Sequence, residues 1–314
     1  MFWSRLKSQL AHWRASNSNA QLKQNSLTPS PFIVGVGRSG TTLLRLMLDA
    51  HPDLAIPPET HFIPEAALAD RHTLTPRRAF LKTLTSHPMW QDHGIEVDLL
   101  RQKISTIKPF DLSEALRAFY QLYAERHAKL RWGDKTPLYV RSMKLIQSLL
   151  PEARFVHIIR DGRDVALSNR GLWFGPDSIE EAAEWWVSWI EEARNQSRHL
   201  SHYLEIRYED LVLDTETTLK FISEFVALPW NPAMLDYHQT AEQRMQEMHR
   251  DLRLQSGAQT IRAESRKAIH SLTSKPPQHD RIGRWQNEMT DTERKCYERI
   301  AGGLLRELNY DVSP

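Results

Sequence analysis

The chain has 314 residues, a formal net charge of +2 and a single cysteine, Cys296. That length can bury a sizeable core, as one large α/β domain or one domain with helical insertions, and the near-balanced charge argues against a nucleic-acid partner. One cysteine excludes an internal disulfide and a four-cysteine metal site and suits a reducing compartment, so the expected location is cytoplasmic.

In chain order, residues 1–30 read as an amphipathic helix followed by a polar linker from Ser16 to Ser30. Trp3, Leu6, Leu10 and Trp13 share one helical face, with Arg5, Lys7 and Arg14 around it. Packing of that face on its own domain is preferred over docking on a partner, and any membrane contact is confined to it. No stretch approaches a transmembrane span, and the N-terminus lacks a signal peptide's apolar centre. Residues 31–314 form the remaining domain. Phe32 to Val34 is a buried strand, Thr41 to Ala50 a helix stopped at His51-Pro52-Asp53, and Leu54 to Ile56 a second strand before the stiff turn Pro57-Pro58-Glu59-Thr60.

Residues 61–130 are mostly helical, with apolar positions at three- and four-residue spacing such as Leu112, Leu116, Phe119, Tyr120 and Tyr123. Arg131 to Pro137 is a strand end and turn, followed by a helix through Leu150. Arg154 to Arg160 is a strand, Arg163 to Arg170 a helix, Gly171 to Ser178 a polar loop and Ile179 to Leu200 a long helix. Leu204 to Tyr208 is a further strand, with a helix from Asp214 to Ala227. Residues 238–280 read as surface helix plus a mobile loop, with almost no buried-strand signal, and as a segment that can order over a bound ligand. The last helix, Asp291 to Leu308, has Thr290 or Asp291 as its cap. Strands alternating with helices predict an α/β fold with a central parallel sheet, helices on both faces and ligands at the strands' carboxyl ends.

The glycine loop Gly35-Val-Gly-Arg-Ser-Gly-Thr-Thr42 lies between the first strand and its helix, the arrangement that aims backbone N–H groups and a helix N-terminus at a phosphate. Its spacing is that of a nucleotide P-loop, but Thr41 stands where an NTPase needs lysine to reach the β- and γ-phosphates. The kinase reading is weakened accordingly, and Arg38 supplies a cation suited to clamping an anionic oxygen. A plain connecting turn would not need one arginine, one serine and two threonines around three glycines. Later, Arg160-Asp-Gly-Arg163 follows a strong strand, with Ser168 two helical turns on. Such an arginine and hydroxyl can hold a second phosphate; alone, a structural Arg–Asp network at a helix start is an equal reading.

Together these two motifs resemble the sulfotransferase family that uses 3′-phosphoadenosine 5′-phosphosulfate (PAPS), in the branch containing tyrosylprotein and bacterial small-molecule sulfotransferases. Arg38-Ser-Gly-Thr-Thr42, Leu48-Asp-Ala-His-Pro-Asp53, Glu59-Thr60, Lys135-Thr-Pro137, Arg160-Asp-Gly-Arg163, Tyr208-Glu-Asp210, Arg284-Trp285 and Leu308-Asn-Tyr-Asp311 match it in order and spacing. The resemblance spans residues 31–311. It implies a three-layer P-loop-like fold with a helical insertion.

The resemblance also implies roles. Glu59 is the general base that takes the acceptor's proton, with His61 and Asp134 as lesser candidates for base or orienter. Arg38 and Lys135 neutralise charge on the leaving oxygen, as in phosphoryl transfer. Gly37, Arg38, Ser39, Gly40, Thr41 and Thr42 hold the 5′-phosphosulfate, Arg160 and Ser168 the 3′-phosphate, Tyr208 lies near the adenine and Arg284 near phosphate. Eukaryotic tyrosine enzymes have serine and lysine at Gly283 and Arg284, and an arginine at Leu172 for which Arg170 is the substitute here. No metal is expected, since no His-Glu-x-x-His, clustered aspartates or cysteine set is present. The acceptor hydroxyl or amine belongs to a small molecule, glycan, glycolipid or peptide, and a homodimer matches common family practice. A P-loop kinase and a non-catalytic nucleotide-binding protein of the same fold remain the alternatives. Trp185, Trp186 and Trp189 read as core packing, and the Trp173-Phe174 loop as a wall of the acceptor pocket.

Overall fold

The computed structural model describes residues 27–253 and 260–312; the expected N-terminal helix lies outside them. The first half runs β1 (Ser30–Val34), α1 (Thr41–Asp49), β2 (Leu54–Ala55), then the helical insertion α2 (Ile63–Arg71), α3 (Pro76–Thr85), α4 (Val97–Ser105) and α5 (Leu112–Arg126). It continues through β3 (Arg131–Trp132), β4 (Asp134–Lys135), α6 (Met143–Leu149), β5 (Ala153–Ile159), α7 (Gly162–Asn169), α8 (Ile179–Ser197) and β6 (Tyr203–Arg207). The remainder is α9 (Tyr208–Leu213), α10 (Thr215–Phe225), α11 (His238–Met245), β7 (Leu252–Arg253), β8 (Thr260–Ile261), α12 (Ala263–Ile269), α13 (Trp285–Glu288) and α14 (Asp291–Glu307).

The central sheet has the order β4-β1-β5-β6, and every pair in it is parallel. Successive residues of a strand point to opposite faces, so a run buried throughout needs a cover on each side. Phe32, Val34, Phe155 and Ile159 join one core with Phe119 and Tyr120 of α5, Trp186 and Ile190 of α8, and Tyr297 and Leu305 of α14. Ile33, Val156, Ile158, Leu204 and Ile206 face the other way, against Leu44 and Leu48 of α1, Leu211 of α9, and Leu219 and Ile222 of α10. This is the three-layer α/β arrangement expected from the alternation of strands and helices.

Local sequence fixes the helix starts. Asp111 caps α5 through the Glu114 N–H at 2.8 Å, Ser178 caps α8 through Glu181 at 3.1 Å, and Thr290 with Glu293 closes a reciprocal capping box on α14. Each such cap contributes about 1 kcal/mol. Two readings shift. β6 ends at Arg207 and Tyr208 opens α9 instead of closing the strand. Within 238–280, β7 and β8 pair antiparallel, Leu252 with Ile261 and Arg253 with Thr260; strands of two residues carry too few positions to show a period.

Candidate active site

The glycine loop is shaped by what passes beneath it. A Cβ on Gly35 would lie 2.5 Å from the Ile158 carbonyl oxygen, and one on Gly40 2.5 Å from Cδ2 of Tyr208. Gly40 also holds φ at 96°, a region open to glycine, and it is the N-cap of α1. No side chain caps that helix and no acidic residue lies in its first turn, so the N–H groups there are left to an anion. Ser39 adds a buried hydroxyl with no hydrogen-bond partner among the described residues. The loop therefore fits a phosphate-type group.

The second motif converges on the first. Arg38 Nε donates to Ser168 Oγ at 3.3 Å, and its Nη1 to the Ile269 carbonyl at 3.0 Å. Arg160 donates to the Arg38 carbonyl at 3.2 Å and to the Arg281 carbonyl at 2.6 Å, with its guanidinium 4.6 Å from the Tyr208 ring centroid. The other matched motifs brace this corner. Glu209 accepts from the Asp161 N–H and from the Tyr310 hydroxyl, both at 2.9 Å. Asp164 accepts from the N–H groups of Gly283 at 2.8 Å and Trp285 at 3.0 Å, while Arg163 stacks 3.5 Å from the Trp285 ring centroid. Stretches far apart in sequence thus form one network around Arg160.

Glu59 follows β2 and the Pro57-Pro58 turn. Lys135 Nζ lies 2.6 Å from Glu59 Oε1 and 3.4 Å from Thr42 Oγ1, while His61 Nε2 lies 2.9 Å from Glu59 Oε2. His61 has φ of 56° and stacks on His87 with ring centroids 6.0 Å apart. Burial raises the Glu59 carboxyl, but the Lys135 ammonium and the His61 contact outweigh it and hold the group well below the usual carboxylate range. Glu59 is therefore ionised, and its side chain keeps 27% exposure against 2% for Lys135, so an acceptor can reach the carboxylate but not the amine.

Asp134 lies outside that contact. Its Oδ2 accepts from Thr60 Oγ1 at 2.7 Å and from the Tyr120 hydroxyl at 2.9 Å, and the Tyr139 hydroxyl is 2.8 Å from Thr60 Oγ1. Burial pushes the Asp134 carboxyl up to about 6 against the pull of these hydroxyls. Through Thr60 it is tied to the residue between Glu59 and His61.

Residues from both halves of the site line one cavity of about 640 Å³. Gly37, Arg38, Gly40, Thr41, Thr42, Arg160, Ser168 and Tyr208 line one side, Glu59 and His61 are on its wall, and Trp173 and Phe174 stand at an exposed edge. Ser39 and Lys135 are buried behind that wall. Arg284 lines the cavity too, with its guanidinium paired to Glu288 at 2.6 Å. Arg170 turns outward to Glu293 at 2.7 Å, half exposed. Of the three tryptophans read as core, Trp186 is buried and donates to the Arg160 carbonyl at 3.1 Å, whereas Trp185 and Trp189 also line the cavity.

Ile269, His270 and Arg281 also line it; the sequence reading set the stretch 238–280 over the ligand but singled out none of these residues. They sit in a polar stretch with no periodic signal. Burial and the nearby Lys135 and Arg38 push the His270 imidazole down to about 3, so it is neutral. Among the described residues no group of three or more His, Cys, Asp or Glu is placed to hold a metal ion, and no helix is long and apolar enough to cross a membrane.

The chain is 30% identical over 224 residues to a protein-tyrosine sulfotransferase of Drosophila melanogaster, covering 68% of this chain and 41% of that one. It is 27% identical over 296 residues to protein-tyrosine sulfotransferase 1 of Danio rerio, covering 91% of this chain and 74% of that one. The fold matches the sulfotransferase domain of the Synechococcus PCC 7002 olefin synthase, with a TM-score of 0.58 at 22% identity over 93% of this chain and 98% of that one. It also matches the sulfotransferase domain from the curacin biosynthetic pathway, with a TM-score of 0.55 at 19% identity over 92% of this chain and all of that one. A model of the sulfotransferase family matches residues 29–232. With that match over the glycine loop, the Glu59 turn and the Arg160 corner, the chain belongs to the sulfotransferase family.

Proposed function

We propose that the protein moves the sulfuryl group of PAPS to an acceptor hydroxyl, or less often an amine, in one in-line displacement with Glu59 as general base. The acceptor oxygen bonds to sulfur as the bond from sulfur to the 5′-phosphate oxygen breaks. The electron pair of that bond leaves with 3′,5′-adenosine bisphosphate, and the acceptor's proton goes to Glu59. Arg38 and Lys135 supply charge stabilisation at the leaving oxygen without a metal. The glycine loop takes the 5′ end of the donor, Arg160 and Ser168 the 3′-phosphate, Tyr208 lies near the adenine, and Arg284 helps close the phosphate end. The acceptor belongs to a small molecule, glycan, glycolipid or peptide.

The observation that carries this reading is a single cavity shared by an ionised, partly exposed Glu59 and by the anion-binding loop. Thr41 in the P-loop lysine position speaks against an ATP-dependent kinase. Glu59 bonded to Lys135 next to that loop speaks against a purely binding role. The segment 263–281, whose carbonyls at Ile269 and Arg281 accept from Arg38 and Arg160, covers the bound nucleotide. The test is transfer: purified protein with sulfur-35-labelled donor and cell extract, scanned by mass spectrometry for species that gain sulfate. Labelled product that disappears with Glu59→Gln supports the proposal; product formed equally by both proteins removes Glu59 as the base.

A further inference from the structure

A base should be strong when it is needed, and Glu59 is held weak. Its carboxylate carries two handles, the Lys135 ammonium on Oε1 at 2.6 Å and His61 on Oε2 at 2.9 Å. The two handles differ in what else they can reach. His61 stacks on His87, on the side of the helical insertion. Lys135 lies between the carboxylate and the first turn of α1, where Thr42 Oγ1 is 3.4 Å away. That turn is the uncapped helix start that the glycine loop presents to an anion. Asp134, Arg45 and His270 are the other charged or titratable groups acting on Lys135, and none of them bonds its amine.

We propose that Lys135 is a switch shared between the base and the donor, so that Glu59 is released to act only when the donor is bound. This rests on the donor assignment made above. Without donor, Lys135 neutralises Glu59. A donor's phosphosulfate end brings more negative charge to the Thr42 side than one carboxylate carries, and a lysine amine on a four-carbon stem can swing to it. Glu59 then keeps only the His61 contact, which holds its position. Losing the adjacent cation raises its affinity for a proton. The acceptor is thereby deprotonated only beside a loaded donor, and the two substrates are coupled without a change of fold.

The test is a double-mutant cycle read by calorimetric binding of 3′,5′-adenosine bisphosphate to wild type, Glu59→Gln, Lys135→Met and the double variant, each checked for folding by thermal melting. Removing the carboxylate relieves plain repulsion of the nucleotide in either background. Where Lys135 is present it also frees the amine. The expected result is that Glu59→Gln tightens binding more in the wild-type background than in the Lys135→Met background, by a factor on the order of ten. Equal tightening in the two backgrounds overturns the switch. So does weaker tightening in the wild-type background, which would mean that Glu59 holds Lys135 ready for the nucleotide. Lys135→Gln replaces Lys135→Met if the latter does not fold. Nucleotide binding by none of the proteins defeats the donor assignment itself and the switch with it.

Discussion

The floor and the cover of the cavity are built from different materials. The floor is Gly35 to Thr42 with Arg160 and Tyr208, set on the ends of β1, β5 and β6 and largely buried. The cover is 263–281, where α12 has no buried residue. It is tied down by side chains reaching backbone carbonyls and one ion pair: Arg38 to Ile269, Arg160 to Arg281, the Tyr237 hydroxyl to Lys275 at 2.5 Å, and Arg266 to Asp92 at 2.5 Å. Two of those ties use Arg38 and Arg160, the floor arginines proposed for the donor's phosphates. A rigid anion site and a cover held by the same cations can exchange partners, so substrate arrival is expected to change the cover and leave the floor alone.

The largest effect that bears on this contrast is chemical. Glu59→Gln should lower turnover by roughly a hundred- to ten-thousandfold while nucleotide binding is retained, measured as single-turnover sulfate transfer against calorimetric affinity. Loss of binding along with turnover would place Glu59 in the floor's structure. Next is the pH dependence of the orienting network. The Asp134 carboxyl is raised from 3.8 to about 6 by burial, so the native state keeps a proton that the unfolded chain releases. The stability this provides is fully present below about pH 4 and lost as pH rises through about 6, a change of about 3 kcal/mol between about pH 3 and about pH 7. Urea unfolding of wild type and Asp134→Asn across that range should show wild type losing this amount relative to the variant. A constant difference would refute the assignment.

Arg160→Met removes a charged donor shared by floor and cover, and should weaken binding of 3′,5′-adenosine bisphosphate roughly thirtyfold with the fold intact. Unchanged affinity would take Arg160 out of the nucleotide site. Gly40→Ala forces a side chain at φ 96° against Tyr208, which should lower stability by about 1 to 3 kcal/mol in a thermal melt. The smallest effect falls on the cover: limited proteolysis within 263–281 should slow when the nucleotide is added, and cleavage at the same rate would mean that the cover ignores the ligand.

The same contrast explains what could be read from the residues. The floor was legible because chemistry at each position is constrained: Gly35 and Gly40 by close approach, Arg38 and Arg160 by charge, Glu209 and Tyr310 by the network that ties α9 and the C-terminus to Asp161. The strands were legible because both faces are buried. Ile269, His270 and Arg281 were not, since the cover buries no periodic face and contributes mainly backbone carbonyls, which any residue supplies. Trp185 and Trp189 pack on the core as read, and they also line the cavity because one helix side serves both. The Lys135–Glu59 contact was beyond reach too: it joins a strand of two residues to a turn 76 positions earlier.

The most direct measurement is a calorimetric comparison of two nucleotides on the purified protein. If the glycine loop is a 5′-phosphosulfate clamp backed by Arg160 and Ser168, 3′,5′-adenosine bisphosphate binds more tightly than ATP with magnesium. Tighter binding of ATP with magnesium would contradict the donor assignment and return the site to the kinase reading.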